Sequence, residues 1–181
     1  NLHVSFLDVG QGDSIFIVFP NGKTMLVDGG GRFNYGDNNG FQRDSRSIGE
    51  SVVSELLWST GRSRIDYVVA THADADHVQG LEDVVNNFDV GTAIFGRASP
   101  TDTELDGLFN ALRRRDLPIE RLSRGDSFNV GDVRVEILSP IGAEVAGRAS
   151  DNDQSLVMRL VYGEQSFLLT GDIEAGAERR M

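Results

Sequence analysis

A single mixed α/β domain is the fold class this sequence predicts. Short apolar segments with partial alternation read as strands, and between them lie stretches whose apolar residues recur at helical spacing. The 181 residues, 39% hydrophobic and 25% charged, are enough to bury one sizeable core, so residues 1–181 are expected to form one domain.

The elements follow in order. Leu2 to Val9, Ser14 to Phe19 and Thr24 to Val27 are apolar strands divided by Gly10-Gln11-Gly12-Asp13 and Pro20-Asn21-Gly22-Lys23, an opening β-meander. Residues from Gly29 to Asp44 are rich in Gly, Asn and Asp and predict a long loop. Ser47 to Thr60 carries Ile48, Val52, Val53, Leu56 and Leu57 at helical spacing and is stopped by Gly61. Ile65 to Ala70 returns to a buried strand, and a helix is expected from Leu81 to about Asn87. A strand near Thr92 to Phe95 precedes a helix over Thr103 to Arg115. Strands follow near Ile119 to Leu122, Ser127 to Val130 and Val133 to Leu138, then a hairpin of Ser155 to Tyr162 and Ser166 to Thr170 across Gly163-Glu164.

Composition narrows the chemistry. No apolar run approaches the roughly 20 residues that span a bilayer, and the chain opens directly on a strand pattern, so a soluble domain without a targeting peptide is expected. The absence of cysteine excludes disulfides and thiolate ligands, leaving oxygen and imidazole to hold any metal. Seventeen basic against twenty-eight acidic residues give a net charge of −11, the wrong sign for holding a polyanion over a broad surface. Clustered carboxylates nonetheless suit divalent cations, and a bound cation reverses the local field.

Between residues 72 and 77, after a buried strand, stand two of the three histidines and two carboxylates in the order His72-x-Asp74-x-Asp76-His77. In an extended or looped segment alternate residues share a side, whereas on a regular helix Asp74 would diverge from His72 and Asp76. A loop at the strand's end is therefore expected. Imidazole with carboxylate fits Zn, Mn or Fe, and an oxygen-rich set favours Mn. The plain alternative is an acidic turn before the helix at Leu81 with solvated histidines, which leaves their pairing unexplained. For Asp28 the alternative is an Asp-Gly turn, for Asp151 to Asp153 a polar turn before a strand, and for Asp172 an N-cap of the last helix. Asp8 and Asp13 are read as turn residues, His3 as an outward-facing strand residue, and Arg97 and Arg113 to Arg115 as a solvated face or phosphate contacts.

The strand followed by His72-x-Asp74-x-Asp76-His77 resembles the metal motif of the metallo-β-lactamase superfamily, with Asp74 where most members have His. ComEC-type domains carry that replacement. Phe6-Leu7-Asp8-Val9-Gly10-Gln11-Gly12-Asp13-Ser14, Leu26-Val27-Asp28-Gly29-Gly30, Ser47-Ile48-Gly49-Glu50, Asn152-Asp153-Gln154-Ser155-Leu156-Val157 and Leu168-Leu169-Thr170-Gly171-Asp172-Ile173 also resemble the ComEC family, over nearly the whole chain. The resemblance implies a four-layer αββα sandwich with two divalent metal ions at the sheet edge, and a nuclease or phosphodiesterase acting on single-stranded DNA during uptake in natural transformation. It also implies a soluble domain attached to a membrane-embedded channel, on the extracytoplasmic face of a bacterial inner membrane.

By that resemblance His72 and Asp74 correspond to first-site ligands, Asp76 and His77 to second-site ligands, and Asp172 to the carboxylate shared by both ions. Counting back from Ser155 points to Asp151, ahead of Asn152 and Asp153, as the remaining first-site ligand. Asp28 would brace the metal loop through hydrogen bonds. Asp76 and Asp172 would orient the attacking water. Family members continue past the Thr-Gly-Asp motif to a His-His-Gly-Ser segment that supplies a second-site ligand. This chain stops at Met181, so a metal-dependent hydrolase with a C-terminally truncated fold is expected, with one second-site ligand missing and inactivity of this chain left open. The alternatives are a metallohydrolase of lactams, thioesters or lactones, which Asp74 disfavours, and a non-catalytic scaffold with the same fold.

Overall fold

The computed structural model describes residues 1–31, 47–96, 103–141 and 152–181. Most of the long loop expected from Gly29 to Asp44, together with Arg97 and Asp151, lies outside the described residues.

The meander forms as β1 (His3–Phe6), β2 (Ile15–Val18) and β3 (Thr24–Val27), paired antiparallel, with Ile15 opposite Val27. A wide-wound helical stretch, Gly49–Ser54, runs into α1 (Glu55–Ser59). The chain then returns through β4 (Arg64–Ala70), α2 (Ala75–Asn87) and β5 (Asp89–Phe95). After a short 3-10 turn come α3 (Asp106–Arg114) and β6 (Ile119–Arg121). Strands β3 to β6 are parallel, so the first sheet runs β1-β2-β3-β4-β5-β6. The second sheet is antiparallel, in the order β10-β9-β8-β7, from β7 (Ser127–Val130), β8 (Val133–Ser139), β9 (Val157–Tyr162) and β10 (Gln165–Leu169). A last short helix, α4, spans Ala175–Glu178.

Period-two side-chain alternation sorts the first sheet into two cores. Leu26 and Val68 face the helices, where Val53, Leu57, Val78, Leu81, Val84 and Leu112 cover them. Met25, Val27, Val69 and Ile94 face the second sheet and meet Val135, Ile137, Met158 and Leu160. Burial on both faces explains why β3 and the end of β4 read as unbroken apolar runs. The two sheets and the helical layer are three layers of the four-layer αββα sandwich expected, and the α/β class is as expected. The other face of the second sheet exposes Arg134, Arg159 and Leu168. Among the described residues no helix is long and apolar enough to cross a membrane. His3 lies exposed on β1.

One expectation needs correction. The helix carrying His77 begins at Ala75 rather than Leu81, with Asp74 at its N-cap in extended conformation. Only His72 and Asp74 lie on the connecting loop, while Asp76 and His77 occupy the first helical turn. An acidic residue in that turn complements the positive end of the helix, which the apolar pattern beginning at Val78 does not reveal.

Candidate metal centre

The site forms where parallel strands β3 and β4 end, the edge at which open α/β sheets present functional groups. Asp28 follows β3 and continues the ladder through its N–H, donated to the Val69 carbonyl at 2.9 Å. Its backbone is left-handed, with φ of 56°, a conformation Asp tolerates better than most residues. The buried carboxylate turns across to the end of β4. There it accepts the Thr71 N–H (2.9 Å), the Thr71 hydroxyl (2.6 Å) and His77 Nδ1 (3.0 Å). The Thr71 Oγ1 in turn lies 2.9 Å from His72 Nδ1.

Both imidazoles therefore have Nδ1 committed to a chain that ends on Asp28, and donation from Nδ1 leaves an Nε2 lone pair available in the neutral ring. The rings stand 4.2 Å apart between centroids. Among the described residues both Nε2 atoms are buried without a hydrogen-bond partner. Carboxylates face them at distances too long for a good hydrogen bond: Asp74 Oδ2 is 3.5 Å from His72 Nε2, and Asp172 Oδ1 is 3.4 Å from His77 Nε2. Two buried imidazole nitrogens aimed at acidic oxygens fit a divalent cation site of nitrogen and oxygen donors.

Close glycine packing fixes the loops around these groups. A Cβ on Gly12 would lie 1.8 Å from the Asp76 carbonyl oxygen, one on Gly31 2.0 Å from that of Ala75, and one on Gly80 2.0 Å from that of Gly29. Gly29 donates its N–H to the His77 carbonyl (2.7 Å), and Gly80 donates to the Gly30 carbonyl (2.9 Å). The Gly-Gln-Gly and Asp-Gly-Gly segments are thus clamped to the N-terminal part of α2. The second sheet joins through Leu156 N–H to the Thr71 carbonyl (2.8 Å), and Gly171 packs on Ser155 and Thr71 ahead of Asp172.

Charge follows this geometry. Burial disfavours the His77 imidazolium, but the Asp28 hydrogen bond outweighs it with the charges of Asp28, Asp172 and Asp76, lifting its pKa to about 9. Partial burial pushes the Asp13 carboxyl above its usual range, opposed by His77 and reinforced by Asp28 and Asp172.

The structure brings His72, His77, Asp28, Asp74 and Asp172 together. Two groups of three donors lie within 4.8 Å of one another: Asp28 with His72 and His77, and Asp13 with His77 and Asp172. Asp28 in the first group has both oxygens occupied by Thr71 and His77 Nδ1, which is the arrangement of a bracing residue. Asp76 is half-buried on the same turn as His77 and belongs to neither group. Asp172 does not cap α4, whose N-cap is Glu174. Of the three residues weighed for the remaining ligand, Asn152 and Asp153 lie in a short 3-10 turn, and Asp153 meets Arg180 at 3.3 Å.

The arginine run is not at this edge. Arg115 donates to the Val85 and Phe88 carbonyls, Arg114 to Asn86, and Arg113 stacks over Phe109. The partners of Arg114 and Arg115 cluster at the C-terminal end of α2, about nine residues and hence ~14 Å along the helix from His77 at 1.5 Å per residue. Asp13, read from the sequence as a turn residue, stands at this edge. The register Ile15 with Val27 carries it to the Asp28 end of the sheet, where its carbonyl accepts the Gly30 N–H at 2.9 Å.

Comparisons with known proteins agree with this fold. The chain is 31% identical over 180 residues to ComE operon protein 3 of Bacillus subtilis (strain 168), a ComEC-family protein; the match takes in 98% of this chain and 23% of that one. The chain thus spans less than a quarter of that relative's length. Its fold is similar to that of CmlA, a diiron β-hydroxylase from Streptomyces venezuelae, with TM-score 0.55 and 21% identity over 94% of this chain and 30% of the other. It is also similar to a Cronobacter sakazakii metallo-β-lactamase, with TM-score 0.53 and 15% identity over 92% and 55% of the two chains. The model of the Metallo-beta-lactamase superfamily matches residues 7–181, nearly all of the chain that builds the two sheets and their shared edge, and the chain belongs to that superfamily.

Proposed function

We propose that this domain is a metal-dependent phosphodiesterase that cleaves single-stranded DNA during DNA uptake. The observation that carries the metal reading is the pair of buried Nε2 atoms on His72 and His77, both without hydrogen-bond partners among the described residues and both facing carboxylates. The DNA-uptake setting rests on the resemblance to the ComEC family and on the identity to ComE operon protein 3. In that setting residues 1–181 are one domain of a longer protein whose membrane-embedded channel delivers the strand, with the site on the extracytoplasmic face.

His72 and Asp74, with a third donor from residues 151 to 153, would hold one ion; Asp76 and His77 would hold a second, and Asp172 would touch both. Manganese is favoured over zinc because carboxylates outnumber imidazoles. Such ions supply Lewis-acid polarisation of a phosphoryl oxygen and a nucleophile at neutral pH. The chain's own residues prepare the site. Asp28 holds His77 directly, and His72 through Thr71, so that both Nε2 atoms face the donors across from them. Asp76 and Asp172 would orient the attacking water. With no cation bound, these carboxylates repel phosphate, so binding of the nucleic acid would depend on the loaded site.

The net charge of −11, and the commitment of Arg114 and Arg115 to the far end of α2, favour a second reading in which a less anionic ester is hydrolysed. The test is cleavage of labelled single-stranded DNA after chelation and return of Mn or Zn, with Asp76→Ala and Asp172→Asn as controls. Metal-dependent cutting that both substitutions abolish supports the nuclease. Stoichiometric metal without cutting passes the argument to the second reading or to a scaffold.

A further inference from the structure

We propose that Asp13 is a metal ligand, joining His77 and Asp172 around one cation. The inference rests on the metal-centre reading above and adds a residue from the opening loop.

Two observations converge on this position. The carboxylate of Asp13, the carboxylate of Asp172 and a ring nitrogen of His77 lie within 4.8 Å of one another. Facing the Asp172 carboxylate at 3.4 Å is His77 Nε2, on a side chain only 1% exposed and, among the described residues, without a hydrogen-bond partner. A buried nitrogen left unpaired is costly unless something accepts its lone pair or its proton, and a cation held between it and two carboxylates satisfies all three groups. Two carboxylates this close, with Asp28 behind them, also repel one another, and a divalent cation turns that repulsion into attraction.

The backbone holds Asp13 in place before any ion arrives. Its carbonyl accepts the Gly30 N–H at 2.9 Å, and Ser14 Oγ donates to the Asp28 carbonyl at 3.1 Å. Gly12, at φ of 68°, presses against the Asp76 carbonyl with no room for a side chain. These contacts use the main chain of Gly12 and Asp13 and the Ser14 hydroxyl, and the Asp13 carboxylate lies with the donors of the site. Among the described residues it accepts no hydrogen bond from the turn, as a residue present only for its turn chemistry would. Asp8, on the same loop, is exposed and belongs to neither donor group.

The experiment is metal binding, read without activity. Chelated protein is titrated with Mn(II) and with Zn(II), bound metal is counted by elemental analysis after dialysis, and coupled manganese pairs are followed by electron paramagnetic resonance. Wild type and Asp8→Asn are expected to take two equivalents. Asp13→Asn is expected to bind one of them at least tenfold more weakly and to lose the coupled signal. Asp13→Ala, which removes the weak amide ligand as well, should show the same loss, and both variants should match the unfolding midpoint of wild type in chelator. Two equivalents at unchanged affinity in Asp13→Ala would overturn the inference and leave the metal centre standing. No binding by wild type would overturn both.

Discussion

Asp28 Oδ2 lies 3.0 Å from His77 Nδ1 with both side chains 1% exposed, and the same carboxylate holds the Thr71 hydroxyl that reaches His72. One buried acid therefore sets the orientation of both histidines. Removing it strands a buried imidazole and the Thr71 N–H together. Asp28→Ala is expected to destabilise the chelated protein by about 3 kcal/mol or more, the scale of a buried pair broken on one side. Asp28→Asn should weaken metal binding roughly 10- to 100-fold. Urea unfolding and metal titration check the two effects separately.

The raised pKa of His77 gives the metal-free fold a defined pH dependence. The folded value of about 9 stands above the ordinary 6.5, so the folded state binds this proton more tightly than the unfolded chain. Its contribution to stability is complete below about pH 6.5 and is lost as pH rises through about 9. Unfolding midpoints in chelator should fall across that window, and His77→Gln should flatten the slope. Metal uptake near pH 7 should release a proton, seen as a dependence of binding heat on buffer ionisation enthalpy.

The glycine contacts predict a contrast between two loop positions. Gly80→Ala places a methyl 2.0 Å from the Gly29 carbonyl oxygen, with rigid backbone on both sides. About 3 kcal/mol of destabilisation is expected, with loss of metal binding as α2 shifts. Gly10→Ala meets no atom within 4 Å and incurs only the strain of φ at 81°, about 1 kcal/mol, with metal binding intact. Thermal unfolding with and without metal distinguishes them.

Arg115 offers a test of where substrate does not go. It donates to two carbonyls at the end of α2, so Arg115→Ala should lower stability by about 1 kcal/mol. DNA cleavage and metal content should remain as in wild type. A large loss of cleavage at full stability would move the substrate path to α3.

The strands of the meander, the buried β4 and the helix over α3 were legible because period-two and period-3.6 patterns survive in short windows. The beginning of α2 was not, since Ala75, Asp76 and His77 carry no apolar periodicity and the turn is set by the Asp74 carbonyl, which accepts the His77 and Val78 N–H groups, and by the clamped glycine loops. Asp28 was legible as a candidate brace from its motif. Its partners were not, because Thr71 Oγ1 and His77 Nδ1 come within reach only when β3 and β4 pair in register.

By itself, the sequence determined the α/β class, a cysteine-free set of nitrogen and oxygen donors at residues 72 to 77, and the resemblance that the superfamily match bears out. These are local properties, written in spacing and residue type. Tertiary structure alone decided that Asp13 stands beside His77 and that Arg114 and Arg115 are held at the far end of α2. It also decided that one carboxylate orients two histidines. Each of these depends on strand register and on the length of α2, which bring together or separate residues tens of positions apart, and no local pattern encodes that distance.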